Sequence, residues 1–355
     1  CLKITTSSPN EIQLSAQSPT LLSEEIEFTT FPIIAYTITI TNSQNDPTPS
    51  PFQQLLQLDL TGILSSSSQL LNLQFCLDVN CNTPLYAWIE SYNSNLSSVY
   101  IWIKLPTSIP ANSSITIYMF VRNSIQYPYT GIAPQLISTY AQYDNGENVF
   151  TFYDNFAGTS LNTNKWTSVV SDATITVNNG LTIQTSNSSV YAGIFTLSSF
   201  PTNTIFDTYL SSFSPQSSSI NSAHGIGVQV GNSNSSSGYQ YTSWNYSNHN
   251  GGTISYGPLG SSETPIVAGP NFPTSNSIIS GYWITTGNEA FGVNYSFVST
   301  TNNSVSNIGS NYYVIGAYYE PQSGISVWKW ARVRVYPPNG KMPSNSQPRK
   351  TIVLM

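Results

Sequence analysis

Only 7% of this 355-residue chain is Asp, Glu, Lys or Arg, where an ordinary soluble domain carries about 25%. The ten Lys and Arg are scattered and the net charge is −6, so no basic stripe exists and nucleic-acid binding is disfavoured. Fifteen Phe, 23 Tyr and 7 Trp are far too many aromatics for a disordered chain.

Residues 1–30 read as an N-terminal arm or connector. Ser7-Ser8-Pro9-Asn10 and Ser18-Pro19-Thr20 are loop-like, Glu11–Ser15 and Ile26–Phe28 are short alternating segments, and Glu24, Glu25 and Glu27 hold three of the sixteen acids. Such an arm either adds an edge strand to its own first domain or pairs with a neighbouring subunit. Residues 31–135 form a first module. Tyr36, Ile38 and Ile40 alternate with Thr37, Thr39 and Thr41, and Val99, Ile101, Ile103 and Leu105 with Tyr100, Trp102 and Lys104. Ile115, Ile117, Met119 and Val121 repeat the pattern, which is that of strands with one face in a core. Pro51–Leu56 is the best candidate for a helix, of one or two turns.

Cys76 and Cys81 bracket Leu-Asp-Val-Asn, a polar turn between apolar runs. They read as a disulfide across a hairpin, implying an oxidising compartment, or as two free thiols or half of a metal site. No second Cys cluster exists and His224 and His249 lie far off in sequence, which disfavours zinc. Cys1 is either a lipidated mature N-terminus or where the numbering begins, and if the chain is secreted its leader is expected to have been removed.

A join falls at 125–148, and residues 148–340 form a second module. Within it Asn179-Gly180, between Ile175/Val177 and Leu181/Ile183, marks a two-residue hairpin. Ile226, Val228 and Val230 continue the period of two. Residues 341–355 read as a C-terminal tail, polar until Thr351–Met355. No apolar run approaches the roughly 20 residues of a membrane helix. With 22 Gly and 22 Pro punctuating short strands, the expected fold is all-β, as two tandem β-sandwiches.

Three stretches carry a resemblance. Thr39–Gln44 with Pro51–Gln54, and Ala87–Ser91 with Ile103–Pro106 and Ile109–Ser113, resemble an uncharacterised β-sandwich module of archaeal and bacterial surface proteins. Phe152–Phe156, Gly158–Leu161 and Lys165-Trp166 resemble the opening of a concanavalin A-like (laminin G/laminarinase-type) jelly roll, and Trp330–Gly340 its closing strand. That family includes glucan hydrolases, which the resemblance implies would carry two Glu and an Asp alternating along one strand. No Glu-x-Asp-x-x-Glu spacing occurs here. Asp154, Asp172, Asp207, Glu263, Glu289 and Glu320 are isolated in sequence, so no catalytic residues are expected and the chain is not expected to be an enzyme.

Binding features remain. Tyr239, Tyr241, Trp244 and Tyr246 lie among amides, followed by His249. Aromatic faces ringed by amides suit a sugar, and equally a jelly-roll strand facing its own core. Trp328 and Trp330 share one strand face with Arg332 and Arg334, opposite Ala331, Val333 and Val335, which suits an interface between the two domains of the chain. Asp144, Glu147 and Asp154 stand where the resemblance implies a structural Ca2+, although turns favour Asp for simpler reasons. Sequons at Asn95, Asn112, Asn187, Asn234, Asn245, Asn294 and Asn302 are no more than so much Ser and Thr provides by chance, yet each is a glycan site if the chain is secreted.

A surface of neutral hydroxyls and amides hardly titrates, and acid unfolds proteins mainly by protonating paired carboxylates. The composition therefore predicts an acid-stable protein outside the cell. The expected function is a non-catalytic extracellular structural or adhesive protein: a filament subunit, a tip adhesin or an archaeal virus fibre. Its expected partners are neighbouring subunits, other surface or virion proteins, and glycans, with no nucleic acid and no membrane span. A lone lectin-like carbohydrate-binding module and a glucan hydrolase are the alternatives.

Overall fold

The computed structural model describes residues 2–8, 11–16, 33–123, 144–171, 173–185, 191–215, 223–230, 253–256, 264–268, 273, 275–284, 288–301, 311–318 and 324–353. The fold is all-β, two sandwiches in one chain. Ahead of them, β1 (Leu2–Ser8) pairs antiparallel with β2 (Glu11–Ala16) as a separate two-stranded sheet. The described part of the arm is thus a hairpin.

The first sandwich holds β3 (Ile33–Asn42), β4 (Phe52–Leu58), β5 (Leu73–Cys76), β6 (Pro84–Leu85), β7 (Ala87–Tyr92), β8 (Val99–Leu105) and β9 (Ser113–Val121). One sheet runs β3-β9-β5-β6, the other β4-β8-β7. Period-two residues fill the space between: Ile38, Ile40, Ile101, Ile103, Ile117 and Met119 are all fully buried there. Pro51–Leu56 is not helical. From Phe52 on it belongs to β4, paired along its length with β8. Its polar positions are buried too, so no alternation marks it as a strand: Gln53 Oε1 accepts from Val335 N at 3.0 Å, and Gln54 Nε2 donates to Pro343 O at 2.8 Å.

The second sandwich contains β10 (Phe152–Asp154), β11 (Trp166–Ser171), β12 (Ala173–Val177), β13 (Leu181–Thr185), β14 (Tyr191–Thr196), β15 (Thr204–Pro215), β16 (Ala223–Val230), β17 (Thr253–Tyr256), β18 (Thr264–Ala268), β19 (Ser275–Trp283), β20 (Asn288–Val293), β21 (Ser296–Thr301), β22 (Asn311–Tyr318) and β23 (Gly324–Val335). The larger sheet runs β12-β13-β23-β15-β19-β20-β21, with β10 also on β23. The smaller runs β11-β14-β22-β16, and β17 pairs with β18 apart. The jelly-roll core between the sheets includes Trp166, Ile194, Phe206, Ile226, Val228, Trp283, Tyr313 and Trp328. The β12–β13 hairpin forms, but Val177 pairs with Leu181, so Asn178 joins Asn179 and Gly180 in a three-residue loop. Asn179 (φ 47°) and Gly180 (φ 148°) take the positive angles it needs, which Asn and Gly tolerate best.

The described residues after 340 are not a separate tail. β24 (Ser344–Asn345) and β25 (Arg349–Val353) return to pair with β3. The first sandwich is therefore completed by the segment that follows the second. Nearest-neighbour pattern cannot reveal this, because the partners lie some 300 residues apart along the chain.

Candidate functional site

The site with the densest chemistry lies where the two sandwiches meet. The outer face of β7–β8 contributes Trp88, Glu90 and Trp102. The outer face of the larger jelly-roll sheet contributes Asp207, Tyr209, Ile278, Trp330, Arg332 and Arg334. Between them sit Val149 of α1 (Gly146–Val149), Phe150 and Tyr153. Period two predicts the β8 face of Trp102 as the solvent side. It is fully buried, because a second module covers it.

Two β-bulges aim the charged groups. On β7 the register slips between Ile89 and Ser91, at Glu90. On β23 Ala331 faces Thr208 but Trp328 faces Leu210, so β23 carries one extra residue. A one-residue insertion moves side chains to the other face. Trp328 therefore enters the jelly-roll core while Trp330 enters the junction, and the two do not share a face as regular alternation implies. Ala331 and Val333 do face the core. A third special position is Tyr295, which with Asn294 forms the β20–β21 turn at φ 66° and 49°, a conformation uncommon for Tyr.

Arg332 is the hub. It donates from Nε to Asp207 Oδ2 at 2.9 Å, from Nη1 to Glu90 Oε2 at 2.8 Å and from Nη2 to the Tyr295 hydroxyl at 2.6 Å. Arg334 Nε reaches the same Asp207 oxygen at 2.7 Å, and Ser280 Oγ donates to Asp207 Oδ1 at 2.6 Å. Glu90 Oε2 also accepts from Trp102 Nε1 at 2.7 Å and from the Tyr295 hydroxyl. The Arg332 guanidinium lies over Trp102, Trp330 and Phe150 at 4.5, 4.6 and 4.7 Å. Two carboxylates and two guanidiniums make the cluster formally neutral. Burial opposes the Asp207 charge, but Arg334 and Arg332 outweigh it and hold the carboxyl below its usual range. Burial likewise opposes the Arg332 charge, and Tyr295, Asp207 and Glu90 raise its pKa above the usual value. Burial pushes Tyr295 well up, so its hydroxyl stays a donor.

A second polar group flanks the junction. Asp144, Glu147 and Asp154 do come together, around a small cavity that Tyr153, Asn155 and Lys165 also line. Both oxygens of Asp144 and of Asp154 already accept hydrogen bonds, and Glu147 is paired with a lysine. Asp144 accepts from Trp88 Nε1, Gly146 N, the Tyr153 hydroxyl and Asn155 Nδ2. Asp154 accepts from Phe156 N and Trp166 Nε1. Lys165 Nζ stands 2.8 Å from Glu147 Oε1 and donates to Tyr153 O at 2.7 Å. A dication needs free oxygen ligands and no resident cation, so this donor set does not fit Ca2+. Among the described residues no three His, Cys, Asp or Glu are grouped to hold a metal. Burial pushes both Asp144 and Asp154 up, and their hydrogen bonds tie α1 to both sandwiches. Gly146 is required here, since a Cβ would meet the Tyr153 ring at 2.6 Å.

Cys76 and Cys81 are joined as a disulfide with Cα atoms 5.1 Å apart. Asn95, Asn112 and Asn294 are exposed on turns. Asn187, Asn234, Asn245 and Asn302 lie outside the described residues, as do Tyr239, Tyr241, Trp244, Tyr246 and His249. The junction residues that sequence reading missed are Glu90 and Asp207. Each stands inside an apolar strand, in Ala87–Tyr92 and Thr204–Leu210, and a charge so placed must be paired if it is buried.

Comparison with known proteins adds three findings. Residues 71–128, which include β5 to β9 of the first sandwich, match a domain of unknown function, DUF2341. An uncharacterised protein of Sulfolobus islandicus rod-shaped virus 1 is 46% identical over 378 aligned residues, covering 99% of this chain. The chain spans 66% of that protein's own length. Solved structures similar to about half of this chain include an endo-acting O-glycanase of the human gut microbiota (TM-score 0.41, 13% identity, 52% of this chain and 99% of that one). Others are a glycoside hydrolase family 16 endo-glucanase of Bacteroides ovatus (0.38, 11%, 51% and 99%) and a pseudo β-1,3-glucanase of Mycobacterium tuberculosis (0.36, 11%, 52% and 98%). Among the described residues no helix is long and apolar enough to cross a membrane.

Proposed function

We propose that the chain is a non-catalytic structural or adhesive protein of a virion surface. The observation that carries this reading is that the first sandwich covers the outer face of the larger jelly-roll sheet around Asp207, Ile278, Trp330 and Arg332. Its one described acid there, Asp207, is fully buried and held by two arginines. The facing acid, Glu90, is held by Arg332. General acid–base work on a glycan needs a reachable carboxyl pair of unequal pKa, and neither group is reachable. The sequence relative from an archaeal virus supports the virion setting. The aromatic rings set among amides in Tyr239–His249 suit a glycan as the target of adhesion, and that segment is the one to test.

Two measurements test the proposal. Antibodies raised against the purified chain should label intact virus particles in electron micrographs. Labelling only after particle disruption would remove the surface role. Incubation with laminarin and mixed-linkage glucan should release no reducing ends, and release abolished by a single Glu→Gln change would show an enzyme instead.

A further inference from the structure

Asn95, Asn112 and Asn294, the sequon asparagines among the described residues, are all exposed, so exposure does not separate them. They differ in what each side chain, and the hydroxyl two residues on, already holds.

At Asn112 both groups are taken. Asn112 Nδ2 donates to Asn45 Oδ1 at 3.1 Å, and the Ser114 hydroxyl shares a hydrogen bond with Thr41 Oγ1 at 2.8 Å. Ser114 is also paired with Thr41 in the β3–β9 ladder. At Asn294 the turn is fastened across the sheet. Asn294 Oδ1 accepts from Ile278 N and Asn294 N donates to Ile278 O, both at 2.9 Å. The next residue, Tyr295, is held in the junction by Arg332, and Ser296 pairs with Val293. Presenting either asparagine to an enzyme means opening a sheet or the junction, which costs far more than opening a surface turn.

Asn95-Leu96-Ser97 lies wholly in the turn between β7 and β8, and the bonds that shape it are local. Ser97 N and Ser97 Oγ both donate to Asn95 Oδ1, at 3.2 and 2.8 Å. Leu96 (φ 61°) is 4% exposed and belongs to the core of the first sandwich, while Asn95 and Ser97 on either side of it stay exposed. Asn93 closes the turn: its O accepts from Leu96 N, its Oδ1 accepts from Ser98 N, and its Nδ2 donates to Ser97 Oγ. A backbone N–H can only donate, so the Asn95 atom facing Ser97 N is the amide oxygen, and Nδ2 lies on the side away from it. Two donors on Oδ1 draw electron density toward oxygen and make an Nδ2 proton easier to remove. The hydroxyl that a sequon requires at its third position is thus already set against the asparagine it serves.

We propose that Asn95 is an N-glycan acceptor of the folded chain, its donor a saccharide linked through phosphate to a lipid. Asn95 Nδ2 forms the bond to C1 of the sugar. The C1–O bond to phosphate breaks, its electron pair leaves on the lipid phosphate, and one Nδ2 proton goes to a base of the transferase. The proposal rests on the surface reading for the chain's passage out of the cell, where sequons are used.

The test incubates the purified, folded full chain with a purified archaeal oligosaccharyl transferase and its lipid-phosphate-linked saccharide, and reads the products by peptide mass spectrometry. The peptide containing Asn95 should gain one glycan mass, while those containing Asn112 and Asn294 stay bare. Ser97→Ala should abolish the gain in a chain that still melts cooperatively, and Ser97→Thr should retain it. Chain recovered from virus particles should carry a glycan at the same residue. The proposal is overturned if Asn95 stays bare in either sample, if Asn112 or Asn294 is modified as readily, or if Ser97→Ala is modified as before. Such a failure leaves the surface reading intact, since that is judged separately by antibody labelling of intact particles.

Discussion

At the scale of single residues, Arg332 and His224 hold opposite kinds of burial. Arg332 is charged and fully matched, by two carboxylates and a ring cage. A buried pair adds little over an apolar substitute, but breaking it leaves an uncompensated charge. Arg332→Met should therefore cost about 3–5 kcal/mol in denaturant titration, and adding Glu90→Gln should recover part of the loss. Additive losses would show that the pair is not coupled. His224 is buried and neutral, with Nδ1 2.7 Å from Ser326 Oγ and, among the described residues, no hydrogen-bond partner for Nε2. Burial lowers its pKa from 6.5 to about 3. The unfolded chain therefore takes up a proton below pH 6.5 that the folded chain refuses until about pH 3. Stability is lost across that window, on the order of 5 kcal/mol at 1.36 kcal/mol per unit. The raised Asp144 and Asp154 act the other way, adding stability as pH falls through their folded values. Asp207, lowered, gives up its contribution only as pH drops below the ordinary 3.8. Counting carboxylates alone expects a flat profile to pH 3, and one buried imidazole replaces it with a slope. Thermal melts of His224→Gln between pH 7 and 3 should be flatter than those of the parent chain, and parallel curves would refute the assignment.

At the scale of elements, legibility depended on whether an element has two different faces. β3, β8 and β9 show the period of two because one face meets the core and the other carries hydroxyls or longer polar side chains. β4 shows no period, since its glutamines are buried and bonded on the far side. The bulges at Glu90 and near Trp330 left no mark either, because an inserted residue looks like any other until its partner strand is known. Segment 344–347 works on both sheets at once. Ser346 N donates to Thr39 O at 2.9 Å and Ser346 Oγ accepts from Thr39 N at 3.0 Å, while Asn345 and Gln347 cap β4. At about 0.5–1.5 kcal/mol per hydrogen bond, Asn345→Ala with Gln347→Ala should cost about 2–3 kcal/mol. Hydrogen exchange at Gln57 and Asp59 should accelerate in that variant, and unchanged exchange there would show the caps to be idle.

At the scale of the whole molecule, the first sandwich is completed by strands from the far end of the chain, and the second is clamped to it by a neutral buried cluster. Neither half has a boundary that a cut would leave intact. We expect a single calorimetric transition whose enthalpy equals the van't Hoff value, the signature of one cooperative unit. Two resolved transitions would show that the junction closes over independently stable domains. The sequence by itself determined the all-β class, the two-module division and the strands with unlike faces, because composition and period are local properties. It also pointed to Trp328, Trp330, Arg332 and Arg334 as an interface, since charge beside Trp in a strand needs a partner, and all but Trp328 lie there. Only the tertiary structure decided that Glu90 and Asp207 are those partners, that Lys165 pairs with Glu147 beside Asp144 and Asp154, and that residues 344–353 supply strands of the first sandwich. Each of these turns on which distant residues meet, and a bulge or a returning strand changes that meeting without changing the local pattern.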